Sequence, residues 1–233
     1  MPTTGLFGRI ADNRNPASLA ATMRRRRFAA FFSLIQDLGR GARVLDVGGT
    51  PEFWTSMGAA GEQLDLTILN RTAGASAHWP ARIVSGDARD MRQFRDQEFD
   101  VAFSNSVIEH VGSYDDQRSM ASEIRRVAPR YFVQTPNRYF PIEPHFLLPG
   151  FQFYPLKLRA ALLSRSDLGW YKRADSYETA LAEVSAVRLL TARELRGLFP
   201  GGHLYRERFG GLTKSLVVYD GWGRRKLGDP ASP

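Results

Sequence analysis

The sequence predicts a doubly wound α/β sheet, and three observations carry that expectation. Short apolar runs alternate with helical patterns at βα spacing between residues 43 and 137. The first run, Val44-Leu45-Asp46-Val47, ends at Gly48-Gly49 and is followed by Thr50-Pro51-Glu52, a helix start. Two further runs, Leu204–Phe209 and Ser215–Tyr219, flank Gly210-Gly211 and read as an antiparallel hairpin that closes the chain.

Taken in order, residues 1–16 are polar and punctuated by Gly and Pro, the pattern of a loose arm. From Ala17 to Leu38, apolar residues recur at three- and four-residue spacing (Leu19, Met23, Phe28, Phe31, Phe32, Leu34, Ile35), which predicts a helix stopped by Gly39 and Gly41. It carries the run Arg24–Arg27. Strand one covers Arg43–Val47 and a helix is expected near Glu52–Ala60. Leu64–Leu69 is strand two, 72–80 a loop, Ala81–Ser85 strand three, and Arg89–Gln97 a short helix or loop. Phe99–Phe103 is strand four, Asp115–Val127 a helix ended before Pro129, and Tyr131–Gln134 strand five.

After Asn137 the alternation breaks. Residues 138–155 combine Tyr139, Phe140, Phe146, Phe151, Phe153 and Tyr154 with four prolines; Leu156–Leu163 and Ser176–Val184 read as helices. This is expected to be an insertion over the carboxyl edge of the sheet, where ligands bind in such folds. Its aromatics serve equally as walls of an acceptor pocket or as packing for the insertion. Arg188–Leu190 is strand or loop. Thr191 and Glu194 form a capping box opening a helix over 192–199. The organisation expected is an arm and helix (1–40), a nucleotide-binding half of the sheet (41–137), a lid (138–186), a closing helix and last strands (187–222), and a loose tail (223–233).

Composition narrows the chemistry. The 233 residues contain no cysteine, which excludes disulfides, thiolate zinc sites and cysteine nucleophiles. No stretch approaches the ~20 apolar residues of a membrane span. The first residues lack the apolar core of a secretory signal, so a cytoplasmic location is expected. The net charge of +8 favours anionic partners, and Arg24–Arg27 suits an anionic membrane surface or simply a solvated face. No Walker loop, H-E-x-x-H or other metal-ligand spacing is present, so no metal site is expected.

A strand, a glycine turn and a helix start form a nucleotide site, because glycines admit the ligand to the backbone and helix-end N–H groups face it. Asp46 sits inside an apolar run, where a carboxylate needs a partner. His110, after strand four, and His145, in P-I-E-P-H-F, are candidate general bases, with Glu109 and Glu143 placed to orient them.

Four segments in order, V-L-D-V-G-G-T, G-D-A, F-D-V-A-F-S-N-S-V-I-E-H-V and the T-P-N after strand five, resemble the class I S-adenosylmethionine-dependent methyltransferases. More closely they resemble the bacterial group related to the ubiquinone-pathway methyltransferases. The resemblance covers about residues 40–220. It implies a seven-stranded Rossmann-like sheet, mostly parallel with an antiparallel last strand, with S-adenosylmethionine as cofactor. By position, Asp46, Gly48 and Gly49 correspond to the loop holding the methionine portion, with Thr50 in place of a third glycine. Asn70, beside Arg71, stands where the family has a ribose-binding acid. Asp87 and Ala88 correspond to the adenine contacts, and Ser104, Asn105 and Ser106 line the mouth of strand four. The function implied is methyl transfer, O-directed, to a small-molecule or lipid/glycan-type acceptor, with membrane association possible through Arg24–Arg27. An RNA methyltransferase, a nicotinamide-dependent oxidoreductase and a non-catalytic cofactor binder are the alternatives. The G-x-G-x-x-G fingerprint of the oxidoreductases is absent after strand one.

Overall fold

The computed structural model describes residues 17–58, 64–72, 81–223 and 227. The expected arm (1–16), nearly all of the 72–80 loop and most of the expected tail lie outside the described residues.

Seven strands form one sheet in the order β3-β2-β1-β4-β5-β7-β6. They are β1 (Ala42–Val47), β2 (Leu64–Asn70), β3 (Arg82–Ser85), β4 (Val101–Asn105), β5 (Tyr131–Pro136), β6 (His203–Phe209) and β7 (Leu212–Asp220). β1 pairs in parallel with β2 and β4, as do β2 with β3 and β4 with β5. β7 runs antiparallel to both β5 and β6, so β6 shares the direction of the parallel set. The strand order reverses between β1 and β4, which places the topological switch point at their carboxyl ends.

The central strands are buried on both faces, which is why they read as apolar runs rather than alternating ones. One face is covered by α1 (Leu19–Ile35) and α2 (Pro51–Ser56). There Phe28, Phe31, Trp54, Phe103 and Phe132 pack together, with Phe103 stacked on Phe132 at 5.7 Å between ring centres. The opposite face is covered by α3 (Tyr114–Val127) and α6 (Ala192–Leu198) around Met120, Ile124, Leu195 and Leu198. Thr191 and Glu194 make the capping box read from the sequence. Helix α2 is shorter than expected, and Arg89–Gln97, read as a short helix or loop, is a series of turns.

Residues 138–187 contain α4 (Leu156–Leu163) and α5 (Tyr177–Ser185), which pack on each other and enclose a separate apolar cluster. Phe146 and Phe151 lie at its centre, their ring centres 4.6 Å apart, with Tyr171 stacked on Phe146 at 4.5 Å. These two phenylalanines, read as equally suited to a pocket wall, are core residues of the insertion. Tyr139, Phe153 and Tyr154 remain exposed.

No helix among the described residues is long and apolar enough to cross a membrane. The basic run is divided between two environments. Arg27 is nearly buried and makes a two-pronged pair with Glu207 in β6, Nη2 to Oε2 at 2.8 Å and Nε to Oε1 at 3.3 Å. Arg24 lies over the Phe53 ring at 5.9 Å. Only Arg25 and Arg26 are exposed, so the four arginines do not form one solvated face.

Candidate functional site

A cleft of about 220 Å³ opens at the carboxyl ends of β1, β2 and β4. Gly48, Asn70, Gly86, Asp87, Ser106 and His110 are among its walls, with Arg71, Ala88 and Arg89 beside them. Gly48 has φ +83°, and a Cβ there would meet Val107 Cγ1 at 2.5 Å. Only glycine suits that backbone and that spacing. Ser106 also adopts a left-handed φ, +58°. Its N–H donates to the Gln134 carbonyl at 3.0 Å and its hydroxyl bonds Gln134 Oε1 at 2.9 Å, which hold an otherwise costly conformation at the cleft mouth.

Asp46 is beneath the glycine turn rather than on the cleft wall. It is 1% exposed, and Trp54 Nε1–H donates to its Oδ2 at 2.6 Å. Its Oδ1 is buried without a partner. Burial raises the carboxyl to about 7, and the Trp54 bond opposes that rise only in part. Gly49 is required by the same carboxylate, since a Cβ there would meet Oδ2. Asn70 Nδ2 donates to the Gly49 carbonyl at 3.0 Å, tying the end of β2 to the turn. Thr50 Oγ1 caps α2 by accepting from the Phe53 N–H at 3.3 Å.

Asp87 lies in the cleft but is engaged by Arg89, whose Nη2 reaches Oδ2 at 2.6 Å while Nη1 reaches Asp116 at 3.0 Å. That guanidinium holds the Asp87 carboxyl down to about 2. Ser104 is not at the mouth. It is fully buried and its hydroxyl donates to the Val47 carbonyl at 3.0 Å, joining β4 to β1. Asn105 accepts from Arg27 Nη1 at 2.6 Å. Trp54, Arg89 and Arg27 were not singled out from the sequence as site residues. The D-A-R spacing of Asp87 and Arg89 is a legible signal, whereas the Arg27–Asn105 contact joins residues far apart in the chain.

The two histidines meet. His110 ends a short turn of helix over Ile108–His110 and His145 comes from the insertion; their Nε2 atoms are 3.1 Å apart. Glu143, buried, accepts from His145 Nδ1 at 2.7 Å and from the His145 and Phe146 N–H groups at 2.7 and 2.6 Å. Burial opposes protonation of His145, but the Glu143 and Glu109 carboxylates outweigh it and raise its pKa. Burial of its inner side and the facing His145 lower His110 to about 4. Glu109 does not orient His110. It is wholly buried, with Oε2 accepting from Thr135 Oγ1 at 2.9 Å and Oε1 unpartnered. Burial raises its pKa.

The glycine-walled cleft lies at the switch point of the sheet, where open α/β folds bind their ligands. Residues 41–130 match the model of a methyltransferase domain. Over that stretch, less than half of its length, the chain is similar to a methyltransferase domain. Two uncharacterized proteins of Mycobacterium tuberculosis are each 30% identical to it over 132 residues, 51% of this chain and 45% of theirs. The match thus spans less than half the length of these relatives.

Among solved structures, an O-methyltransferase family protein from Burkholderia thailandensis superposes with a TM-score of 0.53 at 12% identity, covering 89% of this chain and 57% of that one. The 1,6-didemethyltoxoflavin-N1-methyltransferase of the same organism, with S-adenosylhomocysteine bound, gives 0.50 at 16% identity over 83% and 76%. A structure assigned to the Zn-dependent alcohol dehydrogenases, from Rhodobacter sphaeroides, gives 0.50 at 11% over 81% and 86%. At these identities the superpositions show the fold alone.

Proposed function

We propose that this protein transfers a methyl group from S-adenosylmethionine to a hydroxyl of a small-molecule or lipid/glycan-type acceptor. The observation that carries this reading is the His110–His145 pair. One imidazole is a wall of the cofactor cleft, the other belongs to the insertion, and together they bridge the two.

The residues present fit the cofactor. Gly48 and Gly86 present bare backbone to the cleft, and neither position admits a side chain: a Cβ on Gly86 would meet Gln93 Nε2 at 2.5 Å and Leu69 Cδ1 at 2.7 Å. Asn70, whose nitrogen is held by Gly49, keeps its amide oxygen to accept from a ribose hydroxyl. Asp87 and Ala88 are placed for the adenine, with Asp87 steadied by Arg89. The unpartnered Asp46 Oδ1 lies under the turn, where it favours a cationic group above it. Asp46 is therefore read as a positioning residue of the turn.

When bound, the cofactor supplies an electrophilic methyl group on a sulfonium. The chain supplies position, which accounts for much of the rate of such an in-line displacement. The imidazole pair is where the acceptor hydroxyl loses its proton, a contribution of ~10²–10⁴-fold in general acid–base catalysis. The insertion covers the acceptor and excludes water. Its exposed Tyr139 and Phe153, stacked at 6.2 Å, offer the apolar contact that a lipid or glycan ring takes. Arg25 and Arg26 are the remaining candidates for an anionic membrane surface, and glutamine at both should reduce sedimentation with anionic vesicles at low salt.

Turnover with labelled methyl donor and a cell-extract acceptor tests the reading. His110→Ala and His145→Ala should each lower turnover at least ~100-fold. In His145→Ala, whose imidazole belongs to the insertion, S-adenosylhomocysteine affinity should stay within about threefold, ~0.7 kcal/mol. Undiminished turnover in both variants would contradict it.

A further inference from the structure

The facing imidazoles raise a question of electrostatics. Glu143 holds His145 with its proton on Nδ1, so the Nε2 lone pair of His145 points at Nε2 of His110, 3.1 Å away. Something positive belongs between them. A proton shared by the two nitrogens would suffice for the pair alone. It would leave Glu109 Oε1 unexplained, because that oxygen is wholly buried, has no partner, and belongs to a carboxylate in the same cluster. One ligand atom from each of Glu109, His110 and His145 lies within 4.8 Å of the others.

We propose that Glu109, His110 and His145 form a binding site for one divalent cation of the Zn²⁺ type, with Glu143 as the carboxylate that orients His145. The spacing suits the ion. Two imidazole nitrogens each about 2.05 Å from a shared zinc and 3.1 Å apart subtend roughly 98° at the metal, between octahedral and tetrahedral values. Two imidazoles and one carboxylate are also the donor set of catalytic zinc sites, which keep a further position open. The Nδ1–H···Glu143 bond is the outer-shell contact that fixes the tautomer and ring plane of a ligating histidine. The cluster adjoins the cleft, because His110 is part of the cleft wall.

This inference rests on the reading of the imidazole pair as the acceptor-activating site and changes only the agent. An acceptor hydroxyl bound at the open position is acidified and releases its proton to solvent. An oxygen electron pair then forms the new C–O bond as the methyl C–S bond breaks. The products are the methyl ether, the neutral thioether S-adenosylhomocysteine and one proton.

The test uses the full chain, stripped with a chelator and dialysed. Zn²⁺ alone is titrated by calorimetry against a competing chelator, and Co²⁺ is added separately for its visible spectrum. The expected result is one Zn²⁺ per chain and a Co²⁺ spectrum of nitrogen and oxygen coordination. Affinity should fall at least ~100-fold in His110→Ala and in His145→Ala, and ~10–100-fold in Glu143→Gln. Glu109 is buried, so Glu109→Gln is read only alongside the partly exposed His110 variant, which keeps the test decisive if the former fails to fold. S-adenosylhomocysteine is titrated into the same samples. If it binds while Zn²⁺ does not, the metal site is refuted and the cofactor reading stands. If Zn²⁺ binds at one per chain and is lost in the histidine variants, the metal site stands whether or not S-adenosylhomocysteine binds. Equal Zn²⁺ affinity in wild type and the His110→Ala/His145→Ala double variant refutes it.

Discussion

Replacing Asp46 with Asn separates the energetic burden of a buried carboxylate from its service to the cofactor. In the folded chain the Asp46 carboxyl is raised by burial from 3.8 to about 7. At 1.36 kcal/mol per pKa unit, that shift corresponds to ~4 kcal/mol of destabilisation once the group ionises in the folded state. Because the folded value exceeds the unfolded one, the folded chain holds the proton more tightly. The associated stability is fully present below pH ~4 and is lost as pH rises through ~7. Asparagine occupies the same volume and still accepts from the Trp54 indole, with a weaker neutral hydrogen bond that gives back ~1 kcal/mol. Cofactor-free Asp46→Asn should therefore be more stable than wild type by ~3 kcal/mol at pH 8. That difference should shrink by ~1.4 kcal/mol per pH unit between 7 and 4. Urea unfolding of both proteins at pH 5, 6, 7 and 8 measures it, and subtracting the two profiles cancels the other titrating groups. The same variant should bind S-adenosylhomocysteine at least ~10-fold more weakly, having lost the charge under the turn. A stability difference that does not vary with pH, or a variant less stable than wild type at pH 8, refutes the reasoning.

Three other substitutions probe the frame. Gly48→Ala, with its φ of +83° and Val107 in the way, should lose at least ~10-fold in S-adenosylhomocysteine affinity, ~1.4 kcal/mol, by calorimetry in a protein with a wild-type circular dichroism spectrum. Glu207→Gln leaves Arg27 nearly buried without its charge partner and should cost ~3–5 kcal/mol in denaturant unfolding; a loss under ~1 kcal/mol would mean that solvent screens the pair. Phe146→Ala should cost ~3–5 kcal/mol by emptying the centre of the insertion's core, while S-adenosylhomocysteine affinity stays within about threefold.

The sheet was legible in the sequence because its central strands are buried on both faces, and an apolar run such as Val44–Val47, interrupted only by Asp46, has few other uses. Glycine turns and the Thr191–Glu194 box punctuated it for equally local reasons. The cleft was legible in outline: Gly48, Asn70, Asp87, Ala88 and Ser106 all line it. What failed was whatever depends on depth. Ser104 and Asn105 are neighbours in sequence, yet the pleat sends one into the sheet and leaves the other half-exposed against Arg27. Phe146 and Tyr139 are both aromatics among prolines, and composition cannot tell a core ring from an exposed one. The cluster of Glu109, His110 and His145 has no ligand spacing because its members come from two segments that only the fold of the insertion brings together.

The central claim is that the cleft at the switch point takes S-adenosylmethionine. Calorimetric titration of the wild-type chain with S-adenosylhomocysteine, and in parallel with NAD, tests it most directly. The account predicts one S-adenosylhomocysteine per chain, weakened in Gly48→Ala, and no heat from NAD. Saturable NAD binding with none of S-adenosylhomocysteine would contradict it.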